Sequence, residues 1–496
     1  MTDVTNNKTL PQFETIHTQL DQSFYVPVTA AVPPKTILRY RNDKAAQAVG
    51  LAGLDEASWI AHFGQFTPFQ GSFESPLALA YHGHQFGHYN PDIGDGRGFL
   101  FAQLRELQTG RLLDLGTKGT GQTPFSRQGD GCLTLKGAVR EILATEMLEA
   151  IGVPTSKTFS VIETGRALMR HDEPSPTRSA MLVRLSHSHI RIGSFQRNLY
   201  QQRPDLNDAL ARHVVAHYYP DIDADQPLED LIPDLLAALV DKVAVMAGGW
   251  MAAGFVHGVL NTDNFNLTGE SFDYGPWRFL PTLDPNFTAA YFDQQSRYAY
   301  GRQPDAALWA LCRFADCFVE LIGKDKLEAA LHPFFAKMEQ AMIATMLRRL
   351  GVRPQKRHGE TQQGADAMIH ALLHAARESQ VGFDQMFFDL YGGIKPQDPV
   401  YHSDNFAAYF KALADVDCKT MSRDHPYFRE VSATMKDGSA KPVSLVIEEV
   451  EALWAPIAEQ DDWQALEAKL AHIRSYGDML ARYDINGEDK PQLAKR

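Results

Sequence analysis

Hydrophobic residues in the first third of the chain come in short runs separated by glycine-rich turns. Strand character is clearest at residues 99–104, 112–115 and 158–162, where apolar side chains fill most positions. Between the last two runs, apolar residues recur at helical spacing over about 134–150, and Gly152 with Pro154 follows as a stop signal. The pattern predicts a small unit of strands with one helix.

The hydrophobic pattern becomes helical after about Asn198. The first forty residues show neither the helical nor the strand period and are expected to be an irregular arm. The polar stretch 353–365 also lacks both periods and is expected to be a linker or mobile loop. Strands followed by many helices predict an α+β fold. The expected helices cover residues 208–218, 228–254, 306–322, 324–350, 366–379 and 463–482.

Length and charge narrow the class of protein. A chain of 496 residues can bury a large core and leaves room for about two to four domains. The formal net charge of −13 argues against a nucleic-acid-binding surface, because such a surface needs clustered Lys and Arg. The four cysteines form no disulfide framework, and no targeting or membrane-spanning segment is evident, so a cytoplasmic location away from membranes is expected.

The most informative segment is residues 255–266, Phe-Val-His-Gly-Val-Leu-Asn-Thr-Asp-Asn-Phe-Asn. A protein-kinase catalytic loop has the form His-Arg-Asp-x-x-x-x-Asn, in which the Asp takes the substrate proton and the Asn holds a metal. His257 and Asn264 fit that form, but Val259 stands where the Asp belongs, and a carboxylate returns only at Asp263. A nucleotide-dependent enzyme with altered chemistry is indicated.

Hard oxygen ligands follow in the same region. Asp263, Asn264 and Asp273, the last within Asp273-Tyr-Gly275, offer the atoms that Mg²⁺ or Mn²⁺ prefers when phosphates complete the shell. The competing interpretation is a turn rich in Asp and Asn that only caps local structure. The preceding buried helix and the Asp-Tyr-Gly element favour the metal interpretation.

A glycine-rich turn at residues 115–121, Leu-Gly-Thr-Lys-Gly-Thr-Gly, follows a predicted strand. Backbone amides there could approach phosphate and Lys118 would add a positive charge, although a simple hairpin is equally consistent. Glu141, at the edge of the apolar stripe of the next helix, could pair with Lys118 as in kinases, or could be solvated.

Two further clusters combine Gly, Arg and Asp at residues 94–98 and 126–131. Arg97 and Arg127 could reach phosphate or ribose, and Arg184 and Arg191 could neutralise a triphosphate, but tight turns with solvated arginines are the alternative. His82, His84 and His88 could suggest zinc. The interrupting glycines and the lack of a nearby Cys favour hydrogen bonding instead.

Taken together, these motifs resemble the selenoprotein O family of kinase-fold protein adenylyltransferases. The matching stretches lie in order between Tyr81 and Gln303: residues 83–87, 94–98, 118–121, 126–131, 188–194, 257–264 and 273–276. The resemblance implies a bilobal kinase-like fold and transfer of AMP from ATP, bound in a flipped orientation, to protein hydroxyls. It divides the chain into an arm (1–75), an N-lobe (76–197), a helical C-lobe (198–352) and a C-terminal helical extension (353–496).

The resemblance also assigns roles. It implies that Asp263 is the proton acceptor, that Asn264 and Asp273 hold Mg²⁺ or Mn²⁺, and that Glu141 orients Lys118. The implied ATP contacts are Gly94, Gly96, Arg97, Lys118, Asp130, Gly131, Arg184 and Arg191. The implied partners are proteins bearing Ser, Thr or Tyr hydroxyls, with self-modification included.

The sequence departs from the family pattern in the C-terminal third, which matches poorly and ends without a terminal Cys or selenocysteine pair. Redox control through such a pair is therefore not expected. Three other functions remain open at this point: UMP transfer to proteins, an atypical protein kinase using Asp263, and a non-catalytic ATP-binding scaffold.

Overall fold

The structure is a computed structural model that describes residues 10–354, 361–416, 418–433 and 441–485, with backbone only for 361–363, 432–433 and 484–485. Strands dominate the first part of the chain and helices the rest, which confirms the α+β prediction. The strands are β1 (Phe13–Glu14), β2 (Tyr25–Pro27), β3 (Ile37–Arg41), β4 (Leu77–Leu79), β5 (Gly83–Gln85), β6 (His88–Asn90), β7 (Leu100–Arg105), β8 (Leu112–Lys118), β9 (Leu133–Thr134), β10 (Lys157–Leu168), β11 (Thr177–Ser186), β12 (Phe255–Val256), β13 (Arg278–Phe279), β14 (Val352–Pro354) and β15 (Cys418–Thr420).

The main sheet is antiparallel, in the order β2-β4-β7-β8-β11-β10-β3, with β1 on β7 and β9 on β11. Lys118 is opposite Leu182 and Gly116 is opposite Arg184 in the β8–β11 register. Residues directly opposite each other, and those two apart on one strand, share a face of the sheet. Lys118 and Arg184 therefore project from the same face of its centre.

The helices, in chain order, carry the remaining core. They are α1 (Asp43–Ala48), α2 (Glu56–Phe63), α3 (Leu135–Ile151), α4 (Ile192–Tyr200), α5 (Pro204–Tyr218), α6 (Leu228–Ala253), α7 (Gln303–Ala315), α8 (Val319–Ile322), α9 (Lys324–Leu331), α10 (Phe334–Leu350), α11 (Thr361–Ser379), α12 (Phe383–Leu390), α13 (Asp404–Asp415), α14 (Pro426–Ala433), α15 (Ile447–Gln460) and α16 (Gln464–Ile485).

Helix α3 packs on β10 and β11 and places Glu141 in the interior. Its start is fixed by Thr134, whose Oγ accepts a hydrogen bond from the Gly137 amide at 3.0 Å. Its end is fixed by Gly152 at φ 86°, a left-handed conformation that glycine adopts without strain. The helix predicted over 134–150 is confirmed.

Helix α6 delivers the chain to the segment that carries Asp263 and Asp273. It ends at Gly254 (φ 67°), and β12 follows at once. β12 pairs with β13, so residues 257–277 form a loop whose two ends are held together by a short antiparallel ladder. The many buried side chains of α6 anchor that loop to the core.

Helix α16 packs against α3, the helix that covers β10 and β11. Cα of Ala150 lies 3.1 Å from the position that a Cβ on Gly477 would take, and Arg474 donates to Glu146 at 2.8 Å. The hydroxyl of Tyr476 on α16 also accepts a hydrogen bond from the buried Arg349 of α10 at 3.1 Å. The C-terminal helices thus tie the helix that carries Glu141 to the helical part of the molecule.

Three predictions from the pattern are wrong, and a fourth is wrong at its ends. Residues 10–40 are not an irregular arm, because β1, β2 and β3 join the main sheet, and residues 1–9 of that prediction lie outside the described part of the chain. The helix expected over 324–350 is two helices, since Pro333 lacks the N–H that a continuous helix needs there. The helix expected over 306–322 is also broken, at Phe318 (φ −130°).

The predicted linker at 353–365 is replaced at both ends by regular structure: β14 reaches Pro354 and α11 begins at Thr361. Residues 355–360 of that prediction lie outside the described part of the chain. Within the described ranges, none of the helices combines the length and apolar character needed to cross a bilayer.

Candidate functional site

The central element of the site is a single 3₁₀ turn, Thr262–Asn264, inside the 257–277 loop. All three of its residues are buried. Its backbone is held by Arg191, which donates to the Asp263 carbonyl at 2.8 Å, and by the Asn264 side chain, which donates to the Val259 carbonyl at 2.9 Å. The turn is therefore fixed by contacts from inside and outside its own loop.

The Asp263 carboxylate is buried and lacks a hydrogen-bond partner at Oδ1 among the described residues. Burial raises its pKa to about 6, although the nearby Arg191 lowers it. The Asp273 charge adds to the rise. A carboxylate with this pKa and a free oxygen is suited to accept a proton near neutral pH.

The Asn264 amide oxygen is a second buried acceptor for which the described residues supply no donor. Its amide nitrogen is already used by the Val259 carbonyl, so the hydrogen bond fixes which end of the side chain is free. The oxygen is available to a ligand.

Asp273 lies in a very different environment. Its Oδ1 is 2.7 Å from Lys118 Nζ and 3.6 Å from the Arg184 guanidinium. Burial by itself would raise its pKa, but Lys118, Arg184, Arg97 and Arg191 together hold that pKa well below the usual value. Asp273 is therefore charged at any pH at which the protein would work.

The loop conformation around Asp273 is set by His257. His257 is buried, and its Nε2 lies 3.0 Å from the carbonyl oxygen of Phe272, the residue before Asp273. Asp273 itself adopts φ 62°, in the left-handed region that non-glycine residues seldom occupy. Such a conformation persists where the surrounding contacts enforce it, and it is common at functional sites.

Lys118 joins the strand-rich part of the chain to this loop. Its ammonium contacts both the Glu141 carboxylate and Asp273, and Lys118 and Glu141 are almost fully buried. The ion pair between Lys118 and Glu141 that the sequence suggested is present in the structure. Three residues far apart in sequence thus form one cluster, which is buried except for the partly exposed Asp273.

Arg184 and Arg191 lie beside that cluster. Among the described residues, Nε and Nη1 of the buried Arg184 have no acceptor, and Nε of Arg191 has none either. Arg191 also pairs with Asp95 at 3.2 Å and lies 4.4 Å above the Tyr81 ring. Buried guanidinium groups with unused donors are suited to bind phosphate oxygens.

The 94–98 loop lies over the end of β8. The Arg97 carbonyl accepts hydrogen bonds from Gly119 at 2.6 Å and from Thr120 at 3.3 Å. A Cβ on Gly94 would lie 2.5 Å from the Phe125 ring, and one on Gly96 would lie 2.9 Å from the Phe125 carbonyl oxygen. Packing against the neighbouring loop therefore accounts for both glycines, whether or not ATP contacts them.

The structure does not bring Asp130 into the buried cluster. Asp130 is exposed and accepts two hydrogen bonds from Arg170, at 2.8 and 3.1 Å. Gly131 packs against Gly121, to which a Cβ would come within 2.2 Å. The side chains of Arg97 and Arg127 are exposed, but their charges affect the pKa of Asp273 and Asp263 respectively. The nucleotide roles of these residues remain predictions.

Sequence reasoning missed three residues that contact the site. Asp95 stands inside the 94–98 motif and binds Arg191, so the motif itself was the available signal. Gln196 on α4 and Thr262 in the turn are joined by a hydrogen bond of 2.6 Å. Gln196 stands in no motif and could not have been found from spacing.

The histidines of the 82–88 segment bond to side chains. His82 Nδ1 lies 2.7 Å from the Tyr89 hydroxyl, and His84 Nδ1 lies 2.8 Å from the Gln196 amide nitrogen. No group of three or more His, Cys, Asp or Glu side chains with metal-binding geometry occurs in the described ranges. A metal near Asp273 would therefore need the Asn264 amide oxygen and oxygens from a bound phosphate. The free, hard Oδ1 of Asn264 fits that requirement.

Comparison with known proteins places these features in a family. Residues 8–474 match the family described as protein adenylyltransferase SelO. The chain is 40% identical over 482 residues to the protein nucleotidyltransferase YdiU of Trichormus variabilis, covering 92% of this chain and 94% of the relative. It is 38% identical over 354 residues to that of Vibrio cholerae, covering 70% and 69%. The family match includes most of the C-terminal third, which the motifs alone did not assign to it.

Proposed function

The chain belongs to the protein adenylyltransferase SelO family, and on this premise we propose that it transfers AMP from ATP to Ser, Thr or Tyr hydroxyls of proteins, itself included. The observation that carries the proposal is the contact of Lys118 with both Glu141 and Asp273. It joins the glycine-rich loops of the sheet to the 257–277 loop, so one triphosphate could touch both.

In the proposed reaction, the acceptor hydroxyl oxygen attacks the α-phosphorus of ATP. A new P–O bond forms to the protein, the bond to pyrophosphate breaks, and the hydroxyl proton passes to Asp263. The free Oδ1 of Asp263 and its pKa of about 6 support this role, because the group is mostly ionised at neutral pH and remains a usable base.

Positive charge beside Asp273 would bind the phosphates. Lys118 supplies an ammonium, and Arg184 and Arg191 supply guanidinium donors that the described residues leave unused. In a buried setting such groups stabilise charge that develops on the α-phosphate and on pyrophosphate without reorganising. The loops 94–98 and 126–131 are proposed to complete the ATP site through Gly94, Gly96, Arg97, Asp130 and Gly131.

Asn264 and Asp273 are proposed to hold Mg²⁺ or Mn²⁺. When bound, such an ion offsets phosphate charge and orients the triphosphate. The carboxylate of Asp273 is kept ionised by its cationic neighbours, as a metal ligand must be. The Asn264 side chain is held by Val259 with its oxygen free.

The arrangement supports a kinase-like reading of the fold, with residues 76–197 as N-lobe and 198–352 as C-lobe. Most strands of the main sheet (β4 and β7–β11) and α3 lie in the first range, and β1–β3 precede it. Helix α6 and the loop that carries Asp263 and Asp273 lie in the second range. Val259 then occupies the position of the usual kinase base, and Asp263 takes over proton transfer. Residues 353–496 are proposed to be the C-terminal extension, whose helix α16 packs against α3.

The test uses ATP labelled separately at the α and γ positions, incubated with the full chain and a mixture of candidate acceptor proteins, with Mg²⁺ or Mn²⁺. Label retained on protein from α alone is the expected result. Label from γ alone would overturn the proposal in favour of a protein kinase. ATP-dependent thermal stabilisation with no label from either position would favour a non-catalytic scaffold. The Asp263→Asn variant serves as the control for chemistry at the proposed site.

A further inference from the structure

The carboxylate of Asp263 is not positioned by any hydrogen bond of its own at Oδ1 within the described residues. Its position depends on the 3₁₀ turn that carries it, and that turn begins at Thr262. The contacts of the residues just before Asp263 therefore decide where the carboxylate points. Those contacts come from outside the loop.

Thr262 is fully buried and takes part in a closed set of hydrogen bonds with two distant residues. The His84 backbone amide donates to Thr262 Oγ1 at 2.7 Å, and Thr262 Oγ1 donates to Gln196 Oε1 at 2.6 Å. Gln196 Nε2 lies 2.8 Å from His84 Nδ1 and donates to it. Each polar atom in this ring has a partner, so the ring has one low-energy arrangement.

The hairpin formed by β5 and β6 also packs directly against Asp263. A Cβ on Gly83 would lie 2.9 Å from Asp263 Oδ1, so only glycine leaves the carboxylate room at this point. Three residues after Gly83, the Phe86 amide donates to Asn261 Oδ1 at 3.0 Å, and Tyr298 OH donates to the same oxygen at 3.0 Å. The hairpin thus holds both residues that precede Asp263.

We propose that Gln196 and Thr262 are positioning residues for adenylyl transfer: with the hairpin at His84 they fix the turn so that Asp263 meets the acceptor hydroxyl. Neither side chain is assigned contact with ATP or with the acceptor. The inference rests on the proposed function of Asp263 as base. It assigns the β5–β6 hairpin, which is far from Asp263 in sequence, a role in positioning that residue for catalysis.

The test compares Thr262→Val with Thr262→Ser in the full chain. Valine has nearly the shape of threonine but lacks the hydroxyl, whereas serine keeps it. Because small misplacements of a reacting group can cost about 100-fold in rate, Thr262→Val should lower kcat about 10- to 100-fold. Thr262→Ser should restore kcat to within about threefold, and the KM for ATP should stay within about twofold in both.

A double-mutant cycle separates positioning from a general structural defect. In the Asp263→Asn background, Thr262→Val should cause no further loss, because its effect acts through the carboxylate. An equal loss in both backgrounds would overturn the inference. If Asp263→Asn alone leaves kcat unchanged, the proposed function of Asp263 fails instead, so the two failures are distinguishable.

Gln196→Met is the second variant, for use if Thr262→Val does not fold. It removes both side-chain hydrogen bonds of Gln196 and should lower kcat like Thr262→Val, with a normal KM for ATP. The matched control is Asn198→Ala on the same helix, because Asn198 is buried but bonds to Asn207, away from the turn. Equal loss of kcat in Asn198→Ala and Gln196→Met, at equal melting temperature, would contradict the proposal.

Discussion

Two carboxylates of the 257–277 loop, Asp263 and Asp273, lie ten residues apart in environments that shift their pKa in opposite directions. Asp273 contacts Lys118 and Arg184, and its pKa is held well below the usual value. Asp263 has one oxygen that no described residue binds, and burial raises its pKa to about 6. The same side chain thus becomes a permanent anion in one position and a titrating group in the other.

The difference follows from where each residue's neighbours come from. The sheet supplies cations to Asp273 through Lys118 on β8 and Arg184 on β11. Asp263 instead lies against Gly83, and the Arg191 guanidinium binds its backbone carbonyl. Carboxylates whose pKa values are pushed apart in one site are typical of enzymes that need an anionic ligand and a base together. The comparison assigns phosphate and metal chemistry to Asp273 and proton transfer to Asp263.

The largest expected effect is loss of the base. Asp263→Asn should lower kcat for adenylyl transfer by about 10²- to 10⁴-fold, which is the usual contribution of a general base. ATP binding, measured by calorimetry, should change little because Asp263 is not assigned a nucleotide contact. A variant with normal kcat would show that the unpartnered carboxylate is not the base.

Removing the Lys118 ammonium, which contacts both Glu141 and Asp273, should have the next largest effect. Lys118→Met should lower kcat/KM by about 10²- to 10³-fold, since it takes away a buried group that stabilises phosphate charge. It also leaves Glu141 without its cation, so the melting temperature should fall. Steady-state kinetics and thermal unfolding measure the two outcomes. Kinetics like those of the unmodified chain would separate Lys118 from the nucleotide site.

Arg184 offers a smaller perturbation of the same cluster. Arg184→Gln removes two donors, Nε and Nη1, that no described residue uses, and one 3.6 Å contact with Asp273, so it should weaken ATP binding more than it weakens the fold. A hydrogen bond to a charged group contributes about 1.5–3 kcal/mol, which corresponds to about 10- to 100-fold in affinity. Titration calorimetry with ATP checks this. Unchanged affinity would mean that the free guanidinium nitrogens serve another purpose.

The pKa of Asp263 also has a consequence for stability. Because its folded pKa (about 6) exceeds the ordinary value of 3.8, the folded chain holds this proton more tightly than the unfolded chain does. The stabilisation is present below about pH 4 and is lost as the pH rises through about 6. Asp263→Asn should therefore be more stable than the unmodified chain above pH 6, by about 1–3 kcal/mol. Melting curves at several pH values test this, and equal melting temperatures at pH 8 would contradict it.

The smallest effect is expected at Val259, the position of the usual kinase base. Its side chain is half-buried, and only its carbonyl takes part in the site, through Asn264. Val259→Ala should leave kcat within about twofold. A loss comparable to that of Asp263→Asn would show that shape at residue 259, rather than a proton acceptor at 263, controls the reaction.

The sequence predicted well what depends on local pattern and poorly what depends on distant pairing. The helical spacing predicted α3 with Glu141 on it, and the strand predicted at 112–115 is followed by the turn that contains Lys118. Their ion pair could therefore be anticipated from the sequence. Strands of two to five residues at the sheet edges, such as β1 and β3, carry too little pattern to be found. The ring of Thr262, Gln196 and His84 joins three segments, and nothing in any one of them signals the others.

The most direct test of the central claim is the pH dependence of kcat/KM for ATP, which reports the ionisations of the free enzyme. If Asp263 is the base and Asp273 a permanent anion, kcat/KM should rise with pH and level off above a single ionisation near pH 6. That ionisation should vanish from the residual activity of Asp263→Asn and persist in Arg184→Gln. The same ionisation near pH 6 in Asp263→Asn would contradict the account.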